Sequence, residues 1–115
     1  MKIYIAGKYS SNNIIDIFKN IREGVKISAK ILKLGHIPFC PFLDYQFLFY
    51  EDLSVEDLRK YSIEWLKVCD ILFVLPNSEK SKGTQEEIKI AQKWGIPIIY
   101  SLKEIMKKMN TGSKI

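Results

Sequence analysis

A run of five consecutive apolar residues at positions 71–75 places the strongest limit on how this chain can fold. A continuous apolar run of this length is typical of a strand covered on both faces, as in a parallel sheet. Asp70 precedes the run, and residues 76–78, with the sequence PNS, supply turn chemistry after it. Residues 81–91 then have the pattern of a helix. The stretch therefore predicts a strand–turn–helix unit of an α/β fold.

The same alternation of strand and helix extends over the whole chain. Four segments have strand character, namely residues 2–6, 36–40, 71–75 and 96–100. Helical patterns lie between them, and Gly35 and Gly95 are placed to end two of the helices. This order predicts a three-layer, flavodoxin-like (Rossmann-like) fold with helices on both faces of a parallel sheet. We expect four to five strands in the order 2-1-3-4, with Pro38 marking the second strand as an edge strand.

The 115 residues are enough for one domain, which we predict over residues 1–109, with a flexible tail over residues 110–115.

The first helix is expected to follow a cap at Asn12 or Asn13. Its helically spaced apolar residues predict the face packed on the sheet: Ile14, Phe18, Ile21, Val25, Ala29 and Leu32. Ser54 and Asp57 form a capping-box pattern before the second helix.

Composition narrows the function classes. No apolar run approaches the roughly 20 residues of a membrane helix, and the short apolar start is a strand rather than a signal peptide, so we expect a cytoplasmic protein. The net charge is +5, but 16 of the 18 basic residues are lysines spread along helix faces. This pattern favours a solvated surface over a nucleic-acid site.

Cysteine and histidine do not point to a metal. Cys40, Cys69 and His36 have no partners at metal-ligand spacing, so we predict free thiols, a structural histidine, and neither metal nor cofactor. Trp65 and Trp94 lie on apolar helix faces and are predicted to be core residues, with base stacking as the alternative.

A crevice is expected between strands one and three, where the strand order reverses. Two loops should meet there, residues 7–10 (GKYS) and residues 81–84 (SKGT). Neither loop contains G-x-G-x-x-G or G-x-x-x-x-G-K-(S/T), which argues against a dinucleotide dehydrogenase and a P-loop enzyme. Glycines, hydroxyls and lysines beside a helix N-terminus instead suit a small anionic ligand.

Two adjacent glutamates lie near the start of the third helix, and they point about 100° apart. Glu87 lies one turn before Ala91 and is expected on the buried side, whereas Glu86 lies one turn before Ile90 and is expected outside. The alternative is that both only stabilise the helix dipole.

Several segments together resemble the nucleoside 2-deoxyribosyltransferase-like superfamily: YIAGKYS, GHIPFCPFLDY, WLKVCDILFVLPN, SKGTQEEIKIA and GIPIIY. The superfamily includes deoxyribosyltransferases, deoxynucleoside-monophosphate N-glycosidases, and short phage and prokaryotic members. The resemblance covers about residues 2 to 100. Its most specific part is S-x-G-x-x-x-E-(L/I)-x-x-A, which begins at Ser81 and includes Gly83 and Glu87.

The resemblance implies an N-glycosidic-bond hydrolase or a deoxyribosyltransferase that acts on a (deoxy)nucleoside or its 5′-monophosphate. In this comparison Glu87 takes the place of the catalytic glutamate, and Ser81 the place of a serine that contacts the phosphate. Gly83 belongs to the same motif. The first loop (Gly7, Lys8, Tyr9 and Ser10) would line the sugar-phosphate site, and Tyr4 aligns with an active-site tyrosine. Relatives form dimers that complete each other's sites, which favours a homodimer or a higher homo-oligomer.

The chain departs from the pattern at Ser62, where several catalytic relatives have an aspartate. Asp44 or a residue from a neighbouring subunit is a candidate replacement. Alternatively, the chain is a non-catalytic nucleotide-binding or sensor module, or an oligomerisation domain that uses its aromatic stretch, residues 41–50. The aromatic residues of that stretch are interpreted as a pocket lid or a dimer contact.

Overall fold

Four parallel strands form the centre of the computed structural model, which describes the backbone of residues 1–110 and side chains up to residue 107. The strands are β1 (Lys2–Ala6), β2 (Ile37–Phe39), β3 (Ile71–Val74) and β4 (Ile98–Ile99). They pair in the order β2-β1-β3-β4, which confirms the predicted fold class. β2, with its proline, lies at an edge as predicted.

Helices cover both faces of the sheet: α1 (Ile14–Lys33), α2 (Val55–Lys67), α3 (Lys82–Lys93) and α4 (Leu102–Asn110). Ile31 of α1 and Ile105 of α4 belong to one apolar cluster with β1 and β3. Leu66 of α2 and Ala91 of α3 belong to the cluster on the opposite face. The result is the predicted three-layer arrangement. Residues 111–115 of the tail predicted at 110–115 lie outside the described residues.

The helix ends follow local sequence signals. Asn13 caps α1 by accepting a hydrogen bond from the Ile15 amide at 2.8 Å, and Ser54 and Asp57 make the reciprocal hydrogen bonds of a capping box. Gly35 and Gly95 have φ values of +93° and +70°, the left-handed conformation that glycine adopts without steric cost.

The aromatic stretch after β2 forms a 3₁₀ helix, Pro41–Phe49. Nine residues is long for this type of helix, whose hydrogen-bond geometry is poorer than that of an α-helix. Phe42 packs into the core below it, whereas Phe49 and Tyr50 are 90% and 92% exposed at its far end. The segment therefore joins the core to an exposed aromatic surface.

The predicted buried face of α1 is wrong at most positions, although Ile21 is half-buried against the core cluster. Ile14, Phe18 and Leu32 are each more than 60% exposed, and the buried residues are Gly24, Ser28 and Ile31. Small residues allow the helix to approach the sheet and Phe42 closely, and the Ser28 hydroxyl is satisfied by donating to the Gly24 carbonyl at 2.7 Å. The prediction used the spacing of apolar residues, which ignores glycine and serine. It therefore identified a neighbouring face of the helix as the buried one.

The prediction that both tryptophans are core residues is also wrong. Trp65 is 45% exposed and Trp94 is 55% exposed, because Leu66 and Ala91 take the inward positions of their helices. Trp65 stacks on Phe39 with ring centroids 5.6 Å apart. The Trp94 ring lies under the Lys67 ammonium group.

In the described part of the chain, residues 1–110, no helix combines the length and the apolar character that crossing a membrane requires.

Gly24 provides a test of the close contact between α1 and the 3₁₀ helix. A Cβ atom at this position would lie 2.4 Å from Cδ2 of Phe42. A glycine-to-alanine change at an exposed helix position stabilises the folded protein by roughly 0.5–1 kcal/mol. Here the clash with Phe42 should make the same change destabilising. We expect Gly24→Ala to lower the free energy of unfolding by about 1–3 kcal/mol in urea titrations. The loss should be smaller in a Phe42→Leu background, and a stabilised single variant would contradict the packing.

Candidate functional site

The loop after β1 and the turn after β3 meet at the carboxyl edge of the sheet. The Lys8 amide donates to the Ser78 hydroxyl at 3.1 Å, and the Leu75 amide donates to the Ala6 carbonyl at 2.8 Å. A Cβ atom at Gly7 would lie 2.6 Å from Cδ1 of Leu75, so the approach of the two loops requires a glycine. The two loops thus lie together at the predicted switch point.

A cavity of about 630 Å³ opens between these loops, the 3₁₀ helix and α2. This volume is in the range of sites for small molecules. Eight of the nine predicted site residues line it: Gly7, Lys8, Tyr9, Ser10, Asp44, Ser81, Gly83 and Glu87. The ninth, Tyr4, is fully buried in β1 and reaches the site through Glu87.

Glu87 lies on the inward side of α3, as its helical position predicted. Its exposure is 6%, and the Tyr4 hydroxyl donates a hydrogen bond to its Oε2 atom. Glu86 also lines the cavity, but its side chain is 55% exposed and its Oε2 atom lies 3.2 Å from the Arg59 guanidinium. Of the two neighbouring carboxyls, Glu87 is the buried one, and Glu86 forms a solvent-exposed ion pair at the rim.

Burial dominates the electrostatics of Glu87. Removal from water raises its pKa to about 7, while the hydrogen bond from Tyr4 and the charge of Arg59 act in the opposite direction. The pKa of Tyr4 is raised well above its usual value, first by burial and then by the charge of Glu87. Tyr4 is therefore a hydrogen-bond donor at any pH near neutrality.

The N-terminus of α3 faces the same cavity. Ser81 caps the helix, and its hydroxyl oxygen accepts hydrogen bonds from the Thr84 amide at 3.2 Å and the Thr84 hydroxyl at 3.0 Å. The first turn of a helix presents N–H groups and a positive dipole end, which suits an anion. Lys8 and Lys82 also line this region and add positive charge.

The 3₁₀ helix contributes the opposite wall. The Tyr9 and Tyr45 rings stack with centroids 3.9 Å apart and an interplanar angle of 12°. Asp44, beside Tyr45, is 8% exposed, and among the described residues its Oδ2 atom has no hydrogen-bond partner. Burial raises the pKa of Asp44 to about 6.

Sequence reasoning missed Arg59. This residue lines the cavity from α2 and donates to the Gly83 carbonyl at 3.5 Å. A Cβ atom at Gly83 would lie 2.7 Å from Nη1 of Arg59, so the glycine leaves room for the guanidinium group. The spacing of residues in α2 could have identified it. The capping box fixes the start of this helix, and Arg59, three residues before Ser62, lies on the same side of it.

The strand order and the cavity at the switch point define a Rossmann-like α/β domain with an inward glutamate at a cavity of small-molecule size. The chain belongs to a family described as a domain of unknown function, DUF7768, whose model matches residues 1–101. None of the curated proteins matches its sequence.

The fold is similar to that of a solved 2-deoxyribosyltransferase from the psychrotolerant bacterium Bacillus psychrosaccharolyticus. The TM-score is 0.65 at 22% sequence identity, and the match covers 85% of this chain and 69% of the transferase chain. At this identity the similarity establishes a shared fold.

The raised pKa of Glu87 predicts a pH-dependent cost to stability. Since the folded-state pKa of about 7 exceeds the ordinary value of 4.5, the folded chain holds the proton more tightly, and stability falls as pH rises between these values. In chemical denaturation, Glu87→Gln should gain up to about 3 kcal/mol over wild type on going from pH 5 to pH 8. Glu23→Gln, a change at an exposed position of α1 whose charge does not act on Glu87, is the control. An equal pH response of the Glu87 variant and wild type would contradict the burial of an ionisable carboxyl.

Proposed function

We propose that this chain cleaves the N-glycosidic bond of a (deoxy)nucleoside or its 5′-monophosphate, with Glu87 as the nucleophile. The observation that carries the proposal is a buried carboxyl that faces a cavity of small-molecule size and receives a hydrogen bond from Tyr4. The sugar passes to water in a hydrolase or to a second base in a transferase.

The chemistry follows from the charge that develops on the sugar. Positive charge builds at C1′ as the bond to the base breaks, and an ionised carboxylate stabilises it by forming a covalent glycosyl-enzyme. Tyr4 holds the Glu87 carboxylate in place, and the pKa of Glu87, about 7, leaves a substantial ionised fraction at neutral pH.

Positive charge around the cavity supports an anionic substrate such as a 5′-monophosphate. Lys8, Lys82 and Arg59 line the cavity together with the N-terminus of α3. A nucleoside as the substrate class is also supported by the solved fold neighbour, a 2-deoxyribosyltransferase described as a biocatalyst for nucleoside synthesis.

A panel of nucleosides and their 5′-monophosphates tests the proposal through chromatographic detection of free base. Wild type should release base from at least one member, and Glu87→Gln should lower kcat by about 10³-fold or more because the nucleophile is lost. Glu23→Gln carries the same change in charge at an exposed position of α1 that does not line the cavity, and it should retain most of the activity. Unchanged release by the Glu87 variant would show that another group is the nucleophile.

A second candidate function is nucleotide binding without catalysis, and Ser62 favours it. Its hydroxyl lines the cavity at the position where catalytic relatives are expected to carry a carboxylate, and it donates to the Arg59 carbonyl at 3.1 Å. Under this alternative a nucleotide at 100 times its Kd stabilises the fold by about 2.7 kcal/mol, with no base released.

We also propose that two copies associate through the exposed end of the 3₁₀ helix. Phe49 and Tyr50 are nearly fully exposed on the segment that supplies Asp44 and Tyr45 to the cavity, so a partner seated there would lie next to the site.

Sedimentation velocity tests the association. Wild type should sediment as a dimer at micromolar concentration, and Phe49→Glu should shift it to monomer because a charge would be buried at the contact. Val68→Glu is a control at an exposed apolar residue at the other end of α2, away from the cavity. A monomeric wild type, or a Phe49 variant that still dimerises, would contradict this interface.

A further inference from the structure

The cavity contains a second buried carboxyl that the proposed nucleophile does not account for. Asp44 is 8% exposed, and no residue within the described part of the chain hydrogen-bonds its Oδ2 atom. Buried polar atoms in folded proteins nearly always have a partner, because losing water without replacing its hydrogen bonds is costly. An unpartnered carboxyl in a ligand-sized cavity therefore points to a group supplied by the ligand.

The proposed reaction also lacks a proton donor. A base that departs from C1′ takes the electron pair of the broken bond, and it leaves far more readily when it receives a proton at the same time. Glu87 is already used as the nucleophile. Tyr4 lies behind Glu87 and its hydroxyl donates a hydrogen bond to that carboxylate, so it does not face the base.

We propose that Asp44 is the general acid that protonates the departing base, an inference that rests on the proposed function. In the first step a bond forms between Glu87 and C1′, the bond from C1′ to the base nitrogen breaks, and the Asp44 proton passes to the base. In the second step the Asp44 carboxylate takes a proton from water while the water oxygen bonds to C1′ and releases Glu87. The cycle restores both carboxyls.

The surroundings of Asp44 suit contact with a base. Tyr45, its neighbour in the 3₁₀ helix, and Tyr9 both line the cavity, and their rings form a stacked aromatic pair. Aromatic faces bind nucleobases by stacking. A base held against this wall would lie beside Asp44, and its sugar would extend toward Glu87 and the N-terminus of α3.

The two carboxyls differ in what stabilises their ionised forms. Glu87 has the hydrogen bond from Tyr4 and the charge of Arg59, whereas burial is the cause that raises the pKa of Asp44. The pKa values of about 7 and about 6 are close, so the two singly protonated arrangements of the pair compete near neutral pH. A base nitrogen that accepts a hydrogen bond from Asp44 stabilises its protonated form, which favours the reactive arrangement with Glu87 ionised.

Leaving-group dependence tests the assignment. The probes are 2′-deoxyguanosine 5′-monophosphate and its N7-methyl derivative, whose cationic base departs as a neutral molecule without a proton. Asp44→Asn should lower kcat/KM for the unmodified nucleotide by about 10²–10³-fold, but by less than about threefold for the methylated one after subtraction of the enzyme-free rate. Glu87→Gln should lower both, and Asp52→Asn, at an exposed acid after the 3₁₀ helix, should lower neither.

The outcomes separate the two proposals. Equal losses on both probes in Asp44→Asn, or no loss on either, overturn the acid role and leave the proposed function standing. If wild type releases base from neither probe and from no member of the nucleoside and monophosphate panel, that result contradicts the proposed function and this inference with it. Asp44→Asn removes a buried ionisable group and should fold, which thermal unfolding checks. Asp44→Glu, which keeps an acidic proton, should recover part of the activity on the unmodified probe.

Discussion

The hydrogen bond from Tyr4 to Glu87 is the interaction on which the site depends. It joins the central strand β1 to α3 across 83 positions of sequence and fixes a carboxyl at the edge of the sheet. The bond requires α3 to pack on the sheet face toward which Tyr4 points, and Ala91 of α3 belongs to the same apolar cluster as Tyr4 on that face. The same strand therefore forms part of the core and orients the Glu87 side chain at the cavity.

The buried carboxyls of the cavity lower the stability of the fold, whereas the proposed reaction requires them. Glu87 and Asp44 are both buried, and burial raises both pKa values, which means that their ionised forms weaken the folded state. A fold selected for stability alone would place apolar residues there, since burying a charge seldom stabilises a protein. Two such carboxyls in one cavity, beside Arg59 and a helix N-terminus, are the arrangement that the proposed reaction requires.

The first helix shows where sequence patterns fail. α1 carries two neighbouring stripes, one of Ile14, Phe18 and Leu32, and one that includes Gly24, Ser28 and Ile31, and only the second contacts the core. The closest approach of the helix to Phe42 occurs at a glycine, so the tightest packing involves the residue with the least hydrophobic character. The prediction for the two tryptophans was wrong for a related reason. The smaller residues Leu66 and Ala91 occupy the inward positions of the close-packed core.

The sequence by itself determined the order of elements, the parallel sheet in the order 2-1-3-4, the helix caps and the inward direction of Glu87, because each depends on local periodicity, turn chemistry and the handedness of crossovers. The catalytic role of Glu87 stays a prediction. Only the tertiary structure decided that Tyr4 lies behind Glu87, that Arg59 extends over Gly83, and that Asp44 lines the same cavity without a partner. These contacts join elements distant in sequence, and their geometry depends on how closely helices and strands pack, which local patterns do not encode.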